Sequence, residues 1–124
     1  VVNKYRFRVE PVVRPNGNCP SKEFYESLDV VVKSKFIAIF RAINKSRDGY
    51  LRDDKLRKLK GKHTDDLWEM RVQHNHVWYR IFCFRIGSTW MTTNGFQKHG
   101  NDTDPNEIRR GVALKKEYES QHGR

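Results

Sequence analysis

The sequence predicts an α+β fold: a small, antiparallel-rich sheet of about four strands, two N-terminal helices packed on one face, and a C-terminal helix. Three observations carry this. From Leu67 to His99, apolar and polar residues alternate with the period of a β-strand. From Asp29 to Asn44, the apolar residues Val32, Phe36, Ile39, Phe40 and Ile43 fall on one helical face. Asp104-Pro105-Asn106-Glu107 is a helix start, with an Asp cap, Pro at the first helical position and Glu at the capping-box position.

In chain order, Tyr5–Arg14 reads as a strand with Phe7, Val9 and Val12-Val13 on its buried side, closed by the turn signal Arg14-Pro15-Asn16-Gly17-Asn18. Ser21 is the expected N-cap of a first helix carrying Phe24, Tyr25 and Leu28, and Asp29 that of the second, which Asp48-Gly49 ends. A basic stretch follows, in which Leu56 and Leu59 tuck an irregular segment onto the core. Then come two strands joined at His74-Asn75-His76, and a third from Trp90 to Gln97 after Gly87-Ser88. In that third strand Thr92 and Asn94 are expected to share a face with Trp90, Phe96 and Lys98. The last helix runs to about Ser120 with Ile108, Val112 and Tyr118 inward.

A chain of 124 residues has the length of one domain, 1–124, with enough apolar content (36%) and aromatics (12%) to bury a core. Lys and Arg number 25 against 15 Asp and Glu, a net charge of +10 that favours a polyanionic partner. Cys19 and Cys83 do not form a disulfide framework, and neither has the neighbours of a zinc site. No run approaches the ~18 apolar residues of a membrane span. The N-terminus as given alternates charge rather than showing the order of a signal peptide, so a cytoplasmic protein with no membrane partner is expected.

The chemistry concentrates in the hairpin. If its turn is centred on Asn75-His76, Arg71 lies directly opposite Arg80, on a face shared with Trp78, Phe82 and Phe84; Trp68, Met70 and Val72 share the core face with Tyr79, Ile81 and Cys83. Like charges directly opposite destabilise a sheet. Glu69, on the same face, offers one offset, as a surface ion-pair cluster worth at most ~1 kcal/mol. An anion held between two guanidinium forks offers another, and that geometry suits phosphate. Lys98 and His99 are expected at the edge of the same sheet. Lys55, Arg57, Lys58, Lys60 and Lys62 form a basic rim suited to RNA or ribosome contact. His74 and His76 flank the hairpin tip with no third ligand near them, so no metal is expected there.

The order β-α-α-β-β-β-α, with Leu59-Lys60-Gly61, Leu67-Trp68-Glu69-Met70-Arg71, Tyr79-Arg80-Ile81 and Gly95-Phe96-Gln97-Lys98, resembles the RelE/ParE toxin superfamily, in its HigB-like, phage Gp49-like branch. The resemblance covers nearly the whole chain. It implies a toxin of a type II toxin–antitoxin system: a ribosome-dependent mRNA endonuclease without a cofactor, neutralised by a helix-turn-helix antitoxin of the HigA kind. Arg71 and Arg80 match the sheet arginines of the resembled family, and Lys98 the first Lys of its Phe-x-Lys-Lys motif. His99 replaces the second Lys. Gly111 stands where Ala is expected, which should loosen the last helix slightly.

Such a reaction needs few groups, because RNA carries its own nucleophile in the 2′-OH. A base takes that proton, an acid serves the leaving 5′ oxygen, and cations stabilise the phosphorane. Arg71, Arg80 and Lys98 suit the third task. His99 is the candidate base or acid, since an unperturbed imidazole titrates near neutrality; an exposed loop histidine is the alternative. Two other functional readings fit the sequence: a ParE-like inhibitor of DNA gyrase acting by protein–protein contact, and an inactive, phage-derived RNA-binding protein.

Overall fold

The computed structural model describes residues 6–98 and 103–123. It contains β1 (Arg8–Pro11), α1 (Pro20–Glu26), α2 (Val30–Lys45), β2 (Leu56–Lys58), β3 (Trp68–His74), β4 (Val77–Ile86), β5 (Thr89–Lys98) and α3 (Pro105–Gln121). The strands form one five-stranded sheet in the order β1-β5-β4-β3-β2, in which β1 runs parallel to β5 and every other pair is antiparallel. The fifth strand is β2, in the stretch expected to be irregular. Its Leu56 is fully buried beneath the sheet edge while Lys58 faces solvent.

The two faces of the sheet carry different cores. On one, Val32, Phe36, Ile39 and Ile43 of α2 pack with Met70, Val72, Tyr79, Ile81 and Trp90, and Phe24 and Tyr25 of α1 add to them. On the other, Phe82, Phe84 and Phe96 meet Ile108, Val112 and Tyr118 of α3. Each fully buried side chain of this size contributes roughly 1.5–3 kcal/mol. Asp29 caps α2 as expected, its carboxylate accepting from the N–H groups of Val31 and Val32 at 2.9 and 3.0 Å. Ser21 is not a cap. Cys19 holds that position without a side-chain bond, and Ser21 is instead buried, its hydroxyl 2.7 Å from that of Thr92.

A bulge in β5 revises the expected alternation. Ile81 pairs with Gly95 but Cys83 with Thr92, so Thr93 and Asn94 together oppose Phe82. Trp90 therefore packs with the α2 core, and Thr92 bonds Ser21 of α1, while Asn94 and Phe96 meet α3. The Asn94 amide donates to both the carbonyl and the carboxylate of Glu107, which draws that carboxylate toward the sheet and away from a capping box. Lys98 closes β5 as expected, beyond the residues of that strand that pair with β1, and pairs across with Trp78.

Two glycines mark close approaches of helix to sheet. A Cβ on Gly111 would sit 2.9 Å from Leu67 Cδ1 and 3.0 Å from both Asn94 Oδ1 and Phe82 Cδ2, so glycine here seats α3 rather than loosening it. A Cβ on Gly95 would lie 2.1 Å from Phe24 Cδ2. Gly95→Ala is therefore expected to lift α1 from the sheet and cost about 1–3 kcal/mol, read as a lower urea midpoint at unchanged slope.

Candidate functional site

The β3–β4 register places Arg71 opposite Arg80. It is set by a two-residue turn in which Asn75 (φ 51°) and His76 (φ 64°) both take the left-handed conformation, the requirement of a type I′ hairpin. A slip of one residue would send the two arginines to opposite faces.

Between them lies Glu69, which is not the surface ion pair expected of it. Its side chain is 1% exposed, and one of its two oxygens, Oε1, lies 3.0 Å from Arg57 Nη2, 3.3 Å from Arg71 Nε and 3.5 Å from Arg80 Nε. Arg57 reaches this position because β2 pairs it directly with Glu69. The Trp78 ring supports the cluster from the neighbouring position, with the Arg80 and Arg71 guanidinium carbons 4.5 and 4.9 Å from its centroid.

The cluster is over-supplied with charge and with donors. Arg57, Arg71, Arg80 and Lys98 act on the same neighbourhood as the one buried carboxylate. Arg80 is 2% exposed, and burial, reinforced by Arg71 and Arg57 and opposed by Glu69, pushes its pKa down to about 10. Burial first and Arg57 second lower that of Arg71; burial first and Arg80 second lower that of Lys98. Arg71 Nη1 donates to the Asp53 carbonyl at 3.1 Å. Arg80 Nη1, by contrast, is buried with no hydrogen-bond acceptor in the protein, and the Nε groups of Arg71 and Arg80 face Glu69 Oε1 without the alignment of a hydrogen bond. A buried donor without an acceptor costs about 1–3 kcal/mol, and more when charged. An anion would supply both the missing charge and the missing acceptors. Between α2 and β3, beside Arg71 and Trp78, opens a cavity of about 440 Å³ whose polar lining includes Lys35, Asp54, Lys55 and Gln73.

The structure thus brings Arg71, Arg80 and Lys98 into one neighbourhood. The basic rim divides. Arg57 turns inward to Glu69, Lys58 pairs with Asp66 at 3.1 Å, and Lys55, Lys60 and Lys62 are exposed. His99 lies outside the described residues. Tyr118 meets Phe84 edge to face and stacks on His122 within the α3 end of the face. That end is covered, so Phe82 and Phe84 are core and do not belong to an open binding surface. Glu69 as a buried hub escaped the sequence reading. Its signal was the Leu56-Arg57-Lys58 stretch, which as a strand would cover the edge beside it.

Among the described residues no helix is long and apolar enough to cross a membrane, and no group of three or more His, Cys, Asp or Glu side chains could hold a metal ion. No curated protein matches the chain significantly. Residues 23–116, well over half of the sequence, match the family of phage-derived Gp49-like proteins. With its α+β architecture and paired sheet arginines, the chain belongs to that Gp49-like family, part of the RelE/HigB-like toxin superfamily, whose members are commonly toxins of toxin–antitoxin systems.

Proposed function

We propose that this protein is the toxin of a type II toxin–antitoxin system and cleaves mRNA on the ribosome, with a HigA-like helix-turn-helix antitoxin as its neutralising partner. The observation that carries the proposal is the arginine pair on β3 and β4, which shares one carboxylate with Arg57, leaves Arg80 Nη1 without an acceptor and lies where positive charge exceeds negative. A phosphodiester fits that deficit. As the 2′ oxygen attacks phosphorus and the bond to the 5′ oxygen breaks, the phosphorane gains negative charge. Donors already fixed in a dry site stabilise that charge more than donors in water would.

In this reading Arg71 and Arg80 hold the non-bridging phosphate oxygens, and Lys98 faces the same charge. His99, next in sequence, is the proposed proton-transfer group. The cavity beside Trp78 takes a nucleotide flanking the scissile phosphate, and Lys55, Lys60 and Lys62 contact ribosomal RNA. The products are a 2′,3′-cyclic phosphate and a 5′-hydroxyl.

The test is cleavage of an mRNA on programmed ribosomes. Wild-type protein is expected to cut within the decoded region in the presence of a metal chelator, and a single 2′-deoxy substitution at the cut position should abolish cleavage there. Cleavage that survives the deoxy substitution would remove the 2′-OH from the mechanism.

A further inference from the structure

We infer that Glu69 is a positioning residue for the anion site and that Arg57 is a member of that site, not of the outer rim. The inference rests on the reading of the arginine pair as a phosphate site. Three guanidiniums from β2, β3 and β4 converge on one oxygen, Glu69 Oε1, at 3.0 to 3.5 Å. Arg71 and Arg80 both present Nε to it, the nitrogen nearest the chain. Their outer Nη ends are thereby left ahead of the carboxylate. Arg80 Nη1 has no acceptor at all, and Arg71 uses Nη1 on the Asp53 carbonyl. Arg57 forms the one well-aligned hydrogen bond to Glu69, through Nη2 at 3.0 Å, which ties an otherwise solvent-reaching side chain into the cluster.

Without the carboxylate, like charges on adjacent strands repel and lose their common orientation. Arg57, with a partly exposed side chain, has water to move into; Arg80, at 2% exposure, does not. Glu69 therefore lowers the site's affinity for a phosphate by one negative charge and in exchange fixes the direction of its donors. Affinity and orientation are coupled in opposite senses, and this separates a positioning role from a structural one.

Glu69→Gln keeps the shape and an acceptor oxygen but removes the charge. In single-turnover cleavage on programmed ribosomes, Glu69→Gln is expected to lower kcat by about 10²-fold, as misoriented groups do, while KM falls rather than rises. Glu69→Asp should recover part of kcat. A purely structural residue would lower the active fraction and leave KM unchanged, and that result overturns the inference, as does wild-type kinetics in Glu69→Gln. Arg80→Ala is run in parallel. If it cleaves like wild type, the phosphate reading itself has failed. If it is inactive while Glu69→Gln is normal, only the role of Glu69 has failed. Should Glu69→Gln not fold, titration of wild-type protein with inorganic phosphate, followed by NMR of the arginine side-chain N–H groups, decides the matter. Arg57, Arg71 and Arg80 signals should move together along one binding curve, and an Arg57 signal that stays still overturns its membership.

Discussion

Arg80→Met is expected to lower cleavage by at least 10²–10³-fold, the usual effect of losing one preorganised transition-state donor, while leaving the fold as stable as wild type or more so. The two halves have one cause. Arg80 is buried, and burial lowers its pKa to about 10, below the ordinary arginine range. A base whose pKa is lower folded than unfolded binds its proton less tightly in the native state. Its charge therefore costs stability throughout the neutral range, and the cost is relieved only as pH rises through about 10 toward the ordinary arginine value. Methionine fills a similar volume without charge, and replacing a buried ionic group by an apolar one is often neutral or stabilising by about 1–4 kcal/mol. Glu69 keeps Arg57 and Arg71 as partners in the variant. Urea denaturation alongside the cleavage assay checks both halves. A loss of stability comparable to the loss of function would make Arg80 a structural arginine.

Glu69→Ala is expected to have the largest effect on stability, about 3–5 kcal/mol, because it leaves buried cations without their counter-ion. Arg57 can turn to solvent and Arg71 retains the Asp53 carbonyl, but Arg80 loses the carboxylate that faces its Nε and is too buried to turn to water. The loss should therefore shrink when Glu69→Ala is made in the Arg80→Met background. A double-mutant cycle by urea denaturation measures that coupling, expected in the range of about 0.5–3 kcal/mol. Additive losses would show that Glu69 is held by something other than the arginines.

The elements that the sequence made legible are those whose signals are local. The Asp29 cap, the helical face from Val32 to Ile43, the Asp104-Pro105 start and the Asn75-His76 turn each rest on a few neighbouring residues, and each has its counterpart in the structure. Because the turn fixes the register, the Arg71–Arg80 pairing was legible too. What escaped depends on partners distant in sequence. β2 is three residues long and becomes a strand only by pairing with β3, and that pairing in turn buries Glu69 and brings in Arg57. The β5 bulge hides in Thr92-Thr93-Asn94, residues polar enough to suit either face, and Asn94 is committed only by Glu107 on α3. Gly111 reads as a poor helix former until Leu67, Asn94 and Phe82 are placed around it.

Sheet arginines that hold the phosphate of translated mRNA leave a signature in cells. Mapping mRNA 5′ ends in bacteria that express the wild type or Arg80→Met tests that role most directly. In-frame cuts within translated regions are expected for the wild type, and none for the variant at equal protein level. Growth arrest with intact mRNA and damaged DNA, or identical cuts from both proteins, would contradict it.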